Sequence, residues 1–503
     1  MKAVGILGTS SNAGKSWFAT ALCAWLRRQG VRVAPFKAQN MSNNACATLD
    51  GGEIGIAQAV QAAACGLAPR VEMNPILLKP VGDSTSQVVR LGKAVEQVHA
   101  RDYYQTIEDS WQVVRETLDG WQNQCDVLVM EGAGSPVELN IVDRDIANLR
   151  PIRYVNGKWI LVADIERGGV FAQIAGTWAL MSPADQAAGL GHVINKFRGD
   201  TSLFPDPTPY LAEHCTLPYL GLLPQRNQLQ IDEEDSLCLH NATSAAQHNG
   251  IAWVRLPQIS NSQDIQAWRN DTGLKVYWAS TVAEIEHAAA IILPGSKNTL
   301  QDLAWLQQTG LAAAIQARAK AGVPVVGICG GYQMLGTQLS DPSGIAGLAG
   351  HAEGLGLLPL QTEFHAHKTV APRQSHCDGE TWDTYEIHSG RSQIKPQPHG
   401  SDTDILVCPS GAPRQIAPLL HILHTDGTTI PEGSCLGNIW GSYQHGLFDG
   451  APMRQRLVEA ANLQKVTISP ISRKAQADHT YSAMADLMEQ CLDMEALKRE
   501  FAL

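Results

Sequence analysis

Short apolar runs alternate along the chain with longer segments in which apolar residues recur every three or four positions. The short runs predict buried strands, and the longer segments predict helices with one apolar face. Strands are expected at 3–7, 33–37, 127–131, 159–164, 192–200 and 219–224, and again at 251–257, 275–277, 290–293 and 324–328. Alternating strands and helices favour parallel sheets covered by helices. The pattern therefore predicts an α/β fold with two domains, each a mostly parallel sheet flanked by helices.

The alternation is interrupted once, between residues 231 and 250, where the sequence turns polar and includes the acidic run Asp232–Asp235. Such a break is typical of a domain boundary. We expect a first domain at 1–230, a linker at 231–250 and a second domain at 251–503 that ends in C-terminal helices. A chain of 503 residues is long enough for two or three domains. Residues 391–431, rich in Pro, Gly, Thr and Asp, are expected to be an insertion or surface loops.

Composition narrows the class of protein. Acidic residues outnumber basic ones by 49 to 38, which gives a formal charge of −11 and leaves no basic tract suited to a phosphate backbone, so nucleic acid is not an expected partner. The 11 cysteines lack Cys-x-x-Cys spacing, which argues against a zinc site and a disulfide framework and favours a reducing cytoplasm. No run of about 20 apolar residues predicts a membrane span.

The first predicted strand runs into a loop, Gly8-Thr9-Ser10-Ser11-Asn12-Ala13-Gly14-Lys15-Ser16, and a helix pattern follows from Trp17. A glycine-bearing loop between a strand and a helix is typical of a phosphate-binding P-loop, in which backbone N–H groups surround the phosphates. Lys15 would neutralise the phosphates of ATP, and the Ser16 hydroxyl would bind Mg²⁺. Gly8 lies one residue further from Gly-Lys-Ser than in the commonest spacing. The alternative is a glycine-rich turn with a solvated lysine.

The longer spacing resembles the dethiobiotin synthetase-like branch of P-loop proteins. The resemblance implies that Gly8, Thr9, Gly14, Lys15 and Ser16 bind ATP. It further implies that Lys37, which ends the second strand, lies beside the phosphates or a substrate carboxylate. Asn195 lies where P-loop relatives often contact the base; the alternative is an ordinary loop at the end of a strand. Glu53 and Glu131 match acidic metal ligands of that branch, so Ser16, Glu53 and Glu131 would hold Mg²⁺. A tightly bound organic cofactor is not expected.

The second predicted domain contains Val325-Val326-Gly327-Ile328-Cys329-Gly330-Gly331, an apolar strand that turns sharply into a helix pattern. Gly327, Gly330 and Gly331 give the room that a strained turn needs. The N–H after Cys329 would lie at a helix start, where it favours a thiolate and can also stabilise an oxyanion. The sequence therefore predicts a nucleophilic cysteine. The alternative is a buried core cysteine.

A second stretch, Gly441-Ser442-Tyr443-Gln444-His445-Gly446, supplies a histidine that could take and return the proton of Cys329. The two stretches together resemble the class I glutamine amidotransferases, in which a cysteine attacks the side-chain amide of glutamine. The resemblance implies a second oxyanion donor near Gly295 or Ser296, beside the one near Gly330. The family pattern places Glu two residues after the histidine, where this chain has Leu447. Glu386 is the candidate for the missing partner of His445.

Together, the two halves predict a carbon–nitrogen ligase that activates a carboxylate with ATP and amidates it with ammonia from glutamine. Nearly the whole chain resembles the cobyric acid synthases. The segments that carry this resemblance are Pro35–Asn44, Asp164–Phe171 and Asn195–Asp200. The resemblance implies amidation of the b, d, e and g carboxylates of adenosylcobyrinic acid a,c-diamide in cobalamin biosynthesis. The corrinoid would be a substrate, and a homo-oligomer is left open. The residues expected to bind the corrinoid are Gln39, Asn40, Ser42 and Asn43.

Two alternatives remain at the level of sequence. One is the related cobyrinic acid a,c-diamide synthase, which shares both halves and differs in the carboxylates that it amidates. The other is a P-loop switch ATPase with an inactive amidotransferase domain, for which the missing glutamate after His445 is the best support.

Overall fold

The computed structural model describes residues 1–82, 84–105, 107–232, 249–347, 349–395, 416–424 and 426–501. Most of the predicted linker at 231–250, and residues 396–415 of the predicted insertion, lie outside these ranges.

Helices and strands alternate along most of the described chain. The helices are α1 (Lys15–Arg28), α2 (Ile56–Cys65), α3 (Ala100–Tyr103), α4 (Ile107–Trp121), α5 (Leu149–Tyr154), α6 (Val170–Leu180), α7 (Pro183–Gln186), α8 (Thr208–Leu211), α9 (Val282–Glu286), α10 (Thr299–Gln308), α11 (Leu311–Lys320), α12 (Gly330–Met334), α13 (Ala451–Ala460), α14 (Arg473–Cys491) and α15 (Met494–Phe501).

The strands in the first half are β1 (Lys2–Gly8), β2 (Val33–Phe36), β3 (Gln39–Met41), β4 (Ala45–Ala47), β5 (Glu53–Gly55), β6 (Ile76–Gly82), β7 (Thr85–Arg90), β8 (Lys93–His99), β9 (Val127–Glu131), β10 (Lys158–Asp164), β11 (Gly189–Phe197) and β12 (Tyr219–Pro224). Those in the second half are β13 (Ile251–Val254), β14 (Ile259–Ser260), β15 (Val276–Ala279), β16 (Ala290–Leu293), β17 (Gly295–Ser296), β18 (Val325–Ile328), β19 (Gln338–Asp341), β20 (Gly350–Glu353), β21 (Leu360–Cys377), β22 (Glu380–Ile394), β23 (Leu420–Leu423), β24 (Thr429–Glu432), β25 (Ser434–Leu436) and β26 (Ile439–Ser442).

The chain forms two compact units, and neither is a continuous stretch of sequence. Unit 1 comprises residues 1–42, 52–234 and 474–503, and unit 2 comprises 43–51 and 235–473. The short segment 43–51 therefore belongs to unit 2, although the residues on both sides of it belong to unit 1. The sequence pattern does not predict this excursion.

The main sheet of unit 1 has six parallel strands in the order β12, β11, β10, β1, β9 and β2. The central strands are almost completely buried, which explains why they read as continuous apolar runs. Because the strands are parallel, their carboxyl ends meet at one edge of the sheet. That edge carries Gly8, Glu131, Asp164 and Asn195, and it is where the P-loop begins.

Unit 2 is built on a second six-stranded sheet, in the order β15, β13, β16, β18, β26 and β25, with only β25 running antiparallel to its neighbour. Strand β18 lies between β16 and β26, and Cys329 follows it directly. A further sheet contains the long β21–β22 hairpin together with β23 and β24. Strands β23 and β24 lie almost entirely within 391–431, where the sequence predicted an insertion or surface loops. The α/β class with two sheet-based units is confirmed.

The C-terminal helices are divided between the two units. The sequence predicted that they belong to the second domain; α13 lies in unit 2, whereas residues 474–503, which contain α15 and all of α14 except its first residue, belong to unit 1. The indole N–H of Trp25, on α1, donates a hydrogen bond of 2.8 Å to Glu489 on α14, and Arg28 forms an ion pair of 2.9 Å with the same carboxylate. Sequence order suggested the wrong neighbour because a helix with one apolar face does not indicate which sheet it covers. In the described part of the chain, no helix combines the length and apolarity that crossing a bilayer requires.

Candidate active sites

Cys329 lies at a strained turn between β18 and α12. Its backbone has φ 52° and ψ −107°, a combination that a residue with a side chain rarely adopts, and its N–H donates to Ser442 O at 2.8 Å. A Cβ on Gly331 would lie 2.0 Å from Leu293 O, and one on Gly327 would lie 2.6 Å from the backbone of Gly331. The glycines therefore let the turn pack directly against the neighbouring strand, as the sequence predicted.

His445 lies on the loop after β26, beside β18, and is completely buried. Its Nδ1 is 2.8 Å from Asp264 Oδ2, and Asp264 Oδ1 accepts the backbone N–H of Gly446 at 2.9 Å. Burial alone would lower the pKa of His445, but the charge and hydrogen bond of Asp264 outweigh it and, with the nearby Cys329, raise the pKa to about 10. Nδ1 is engaged by Asp264, and the buried Nε2 has no hydrogen-bond partner among the described residues.

Asp264, rather than Glu386, is therefore the carboxylate that orients His445. Glu386 binds His388 Nε2 at 3.1 Å and Arg373 at 2.5 Å, and these two partners lower the pKa of its carboxyl group in spite of burial. In the sequence, Asp264 stands in the polar stretch Ser260-Asn261-Ser262-Gln263-Asp264. Because 181 residues separate Asp264 from His445, no local spacing could have linked them.

The predicted oxyanion donors also come together at the turn. A Cβ built on Gly330 would lie 2.7 Å from the backbone nitrogen of Ser296, so the end of β17 directly abuts the first residue of α12. Asp302 holds this end of β17, since it accepts Ser296 Oγ at 2.6 Å and the Gln258 N–H at 3.0 Å. Two backbone amides beside a thiol are the arrangement that stabilises the tetrahedral intermediate of acyl transfer. Gly295, also predicted here, lies against His445, because its added Cβ would be 2.9 Å from the imidazole Cε1.

In unit 1, the P-loop has the geometry that the sequence predicted. Gly14 adopts φ 105°, and α1 begins at Lys15. Lys15 Nζ donates to Ser10 O and to Gly134 O, both at 2.9 Å, and a Cβ on Gly8 would come within 2.9 Å of the same nitrogen. The lysine thus curls over the loop, above the position expected for phosphates. Thr9 lies at the sheet edge, where its hydroxyl donates to Gln173 at 2.9 Å.

Glu131 is the centre of a buried polar cluster next to the loop. Its Oε1 accepts Ser16 Oγ at 2.8 Å and Lys37 Nζ at 3.0 Å. Burial favours the neutral acid, but Lys37 and the hydrogen bonds to the carboxylate outweigh it and lower the pKa of Glu131. Glu131 is therefore ionised at neutral pH. A hydroxyl and an ionised carboxylate in contact fit a hard cation such as Mg²⁺, so Ser16 and Glu131 could hold it.

Glu53, the third predicted metal ligand, pairs with a different cation. Its Oε2 accepts Lys79 Nζ at 2.8 Å, and both side chains are buried. Within the described ranges, no group of three or more His, Cys, Asp and Glu side chains forms a metal-binding cluster. The structure thus brings Ser16 and Glu131 together and gives Glu53 a lysine partner.

Asn195 supports the P-loop in this structure. Its amide donates to Ala13 O at 3.0 Å, and a Cβ on Gly14 would lie 2.0 Å from its Nδ2. A cavity of about 390 Å³ opens next to it, lined by residues 197–201 and 224–227, which follow the carboxyl ends of β11 and β12.

The four residues predicted to bind the corrinoid differ in their surroundings. Asn40 is buried and donates to Gln58 Oε1 at 3.0 Å, which gives it a structural contact. Gln39 accepts the hydroxyl of Tyr103 at 2.5 Å, and the Ser42 N–H donates to Leu78 O at 3.0 Å. Asn43 has a buried Oδ1 that finds no hydrogen-bond donor among the described residues.

Both halves of the chain match known protein families. Residues 4–237 match the family described as CobQ/CobB/MinD/ParA nucleotide binding domain, and residues 250–453 match the CobB/CobQ-like glutamine amidotransferase domain. The chain is 42% identical to the cobyric acid synthase of Nostoc punctiforme over 98% of its own length and 99% of the relative's. It is 42% identical to that of Rhodococcus jostii, covering 98% and 94%, and 40% identical to that of Synechocystis, covering 99% and 98%.

A nucleotide-binding half and a glutamine amidotransferase half in one chain are the parts of a glutamine-dependent ligase, and the relatives match along almost the entire sequence. The chain therefore belongs to the cobyric acid synthase family.

Proposed function

We propose that this protein uses ATP and glutamine to amidate the b, d, e and g carboxylates of adenosylcobyrinic acid a,c-diamide, giving adenosylcobyric acid. The observation that carries the proposal is the buried contact between His445 Nδ1 and Asp264 Oδ2, at 2.8 Å, beside the Cys329 turn. The missing glutamate two residues after His445 was the best support for an inactive amidotransferase domain. Asp264 supplies an orienting carboxylate in its place. The names of the relatives support the corrinoid as substrate.

In the amidotransferase half, Cys329 attacks the side-chain carbonyl carbon of glutamine. The N–H groups of Gly330 and Ser296 are the donors for the oxyanion, since these residues adjoin each other at the turn. His445 accepts the thiol proton and gives it to the leaving nitrogen, so that ammonia departs and a thioester remains. Water then hydrolyses the thioester to glutamate. Asp264 keeps the imidazole in the tautomer that this exchange requires.

In the nucleotide-binding half, the carboxylate substrate takes the γ-phosphate of ATP and becomes an acyl phosphate. Ammonia attacks the acyl carbon and phosphate leaves, which makes a step possible that a free carboxylate would not undergo. The P-loop amides and Lys15 would hold the phosphates, and Lys37 would face the transferred group. Ser16 and Glu131 would hold Mg²⁺, which supplies positive charge to the phosphate oxygens.

Two further parts of the proposal rest on single observations. Asn43 is the best-supported corrinoid contact, since its buried carbonyl oxygen finds no donor among the described residues. Asn43→Ala should raise the KM for the corrinoid and leave glutamate release unchanged.

A cytoplasmic location is supported by the nine described cysteines, which are all free thiols.

Mass spectrometry of the corrinoid tests the reaction directly. With ATP, Mg²⁺ and glutamine, we expect the a,c-diamide to pass through four successive carboxyl-to-amide steps. Cys329→Ala should lose amidation from glutamine but keep amidation from ammonium, and Lys15→Ala should lose both. Amidation of cobyrinic acid at two positions only would assign the related a,c-diamide synthase activity instead. If wild type and Cys329→Ala release glutamate at the same rate, the amidotransferase half is inactive.

A further inference from the structure

Asn44 lies in the segment 43–51, which belongs to unit 2 although the residues on both sides of it belong to unit 1. Its side chain is completely buried. Burying a primary amide without partners costs free energy, so the position requires specific hydrogen bonds. Its partners include Ser262, a residue of the amidotransferase unit.

Two hydrogen bonds join Asn44 to Ser262. The amide Nδ2 donates to Ser262 Oγ at 3.1 Å, and the Ser262 backbone N–H donates to Asn44 Oδ1, also at 3.1 Å. A third bond lies next to them, because the Ala45 N–H donates to Asn261 Oδ1 at 2.9 Å. The contact is therefore reciprocal, with side chains from each segment satisfying groups of the other.

The turn that Asn44 contacts is also the turn that carries Asp264. Asn261 begins it with φ 56°, in the left-handed region, and the Asp264 N–H donates back to Asn261 O at 3.2 Å. Gln263 donates to the hydroxyl of Tyr385 at 2.7 Å, and the ring of Tyr385 stacks on the imidazole of His445 with centroids 5.2 Å apart. One short turn thus holds His445 through a carboxylate and through a stacked ring.

We propose that Asn44 is a positioning residue for glutamine hydrolysis: it fixes the Asn261–Asp264 turn and, through Asp264, the orientation of His445. The inference rests on the proposed function and concerns the same site. Asn261 begins the turn in the left-handed region, which asparagine tolerates better than most residues, and side-chain contacts hold the rest of the turn in one geometry. Asn44 supplies both a donor and an acceptor to Ser262, the residue next to Asn261.

The experiment measures glutamate release, ammonium-dependent amidation and thermal midpoint for wild type, Asn44→Ala, Ser262→Ala and Leu49→Ala. We expect Asn44→Ala to lower kcat for glutamine hydrolysis by about tenfold or more while KM for glutamine and ammonium-dependent amidation stay near wild type. Ser262→Ala, which removes only the Oγ partner, should have a smaller effect. Leu49→Ala is the matched control, because Leu49 lies in the same segment and is 76% exposed.

Two readouts separate positioning from general destabilisation. Loosening Asp264 lowers the pKa of His445, so the limb of the kcat/KM profile that reports the titration of His445 should move to lower pH in Asn44→Ala. In an Asp264→Asn background, Asn44→Ala should cause no further loss of kcat, because both substitutions act through one group.

The proposal is overturned if Asn44→Ala keeps kcat within twofold of wild type, if its loss multiplies with that of Asp264→Asn, or if ammonium-dependent amidation falls in parallel. Should Asn44→Ala not fold, an unchanged kcat and pH profile in Ser262→Ala overturns the proposal, and a shifted profile supports it. Failure of the proposed function would look different, since wild type itself would then release no glutamate.

Discussion

Asp264 Oδ2 lies 2.8 Å from His445 Nδ1, with both side chains buried in unit 2. We expect Asp264→Asn to lower kcat for glutamine hydrolysis by on the order of 10³-fold, because an amide cannot hold the imidazole in the required tautomer. Ammonium-dependent amidation should persist. Glutamate release measures the loss, and Glu386→Gln is the control, since Glu386 binds His388 and Arg373. Equal losses in the two variants would contradict the assignment of Asp264.

A substitution of Gly330 would test the contact between the Cys329 turn and β17. A methyl group at this position would lie 2.7 Å from the Ser296 nitrogen, closer than side-chain carbons approach backbone atoms. We expect Gly330→Ala to displace the two oxyanion donors and to lower kcat by about 10²-fold or more. In the control Gly350→Ala, the nearest contact is an ordinary 3.9 Å to Leu300, so activity should not change. Wild-type turnover in Gly330→Ala would argue against these donors.

Asp302 gives a prediction for the pH dependence of stability. Burial raises its pKa to about 6 from 3.8, even though Ser296 and the Gln258 N–H donate to it. Because folding favours the protonated acid, the stabilising contribution is complete below about pH 3.8 and is lost as pH rises through about 6. Relative to Asp302→Asn, wild type should lose up to about 3 kcal/mol of unfolding free energy across that range.

Urea unfolding of wild type and Asp302→Asn at several pH values between those limits would measure the difference. Parallel curves for the two proteins would show that Asp302 keeps an ordinary pKa.

Glu131 tests the nucleotide site. Glu131→Gln keeps the shape of the side chain but removes the charge that faces Lys37 and Ser16. We expect the magnesium concentration for half-maximal amidation to rise and kcat to fall by about 10²-fold, while glutamate release is retained. Glu53→Gln should be compared with it, because Glu53 pairs with Lys79. An unchanged magnesium dependence in Glu131→Gln would show that Glu131 does not bind Mg²⁺.

Glu489 tests where the C-terminal helices pack. Trp25 is fully buried, and Glu489→Ala would leave its indole N–H without this acceptor. We expect a loss of about 1–3 kcal/mol in the stability of unit 1, measured by denaturant unfolding. Glu495→Ala on α15 is the control, since Glu495 is exposed and pairs only with Lys498 among the described residues. No difference between the two variants would count against the packing of α14 on α1.

The sequence predicted the features that neighbouring residues determine. The P-loop and the cysteine turn are short motifs whose glycines have a local steric reason, and both were found as expected. Asp264 was missed because its role depends on a contact across 181 residues, and Glu386, the candidate from the sequence, binds His388 instead. Helices α14 and α15 were misplaced because tertiary packing decides which of two apolar surfaces a helix covers.

The division of the chain into interleaved segments limits how the protein can be rebuilt. A gene cut near residue 250 would yield an amidotransferase fragment without residues 43–51 and a nucleotide-binding fragment without residues 474–503. Each fragment would expose apolar surface that is covered in the intact chain. Chimeras between relatives should therefore exchange 43–51 together with 251–473, because a single crossover would pair each half with a foreign segment.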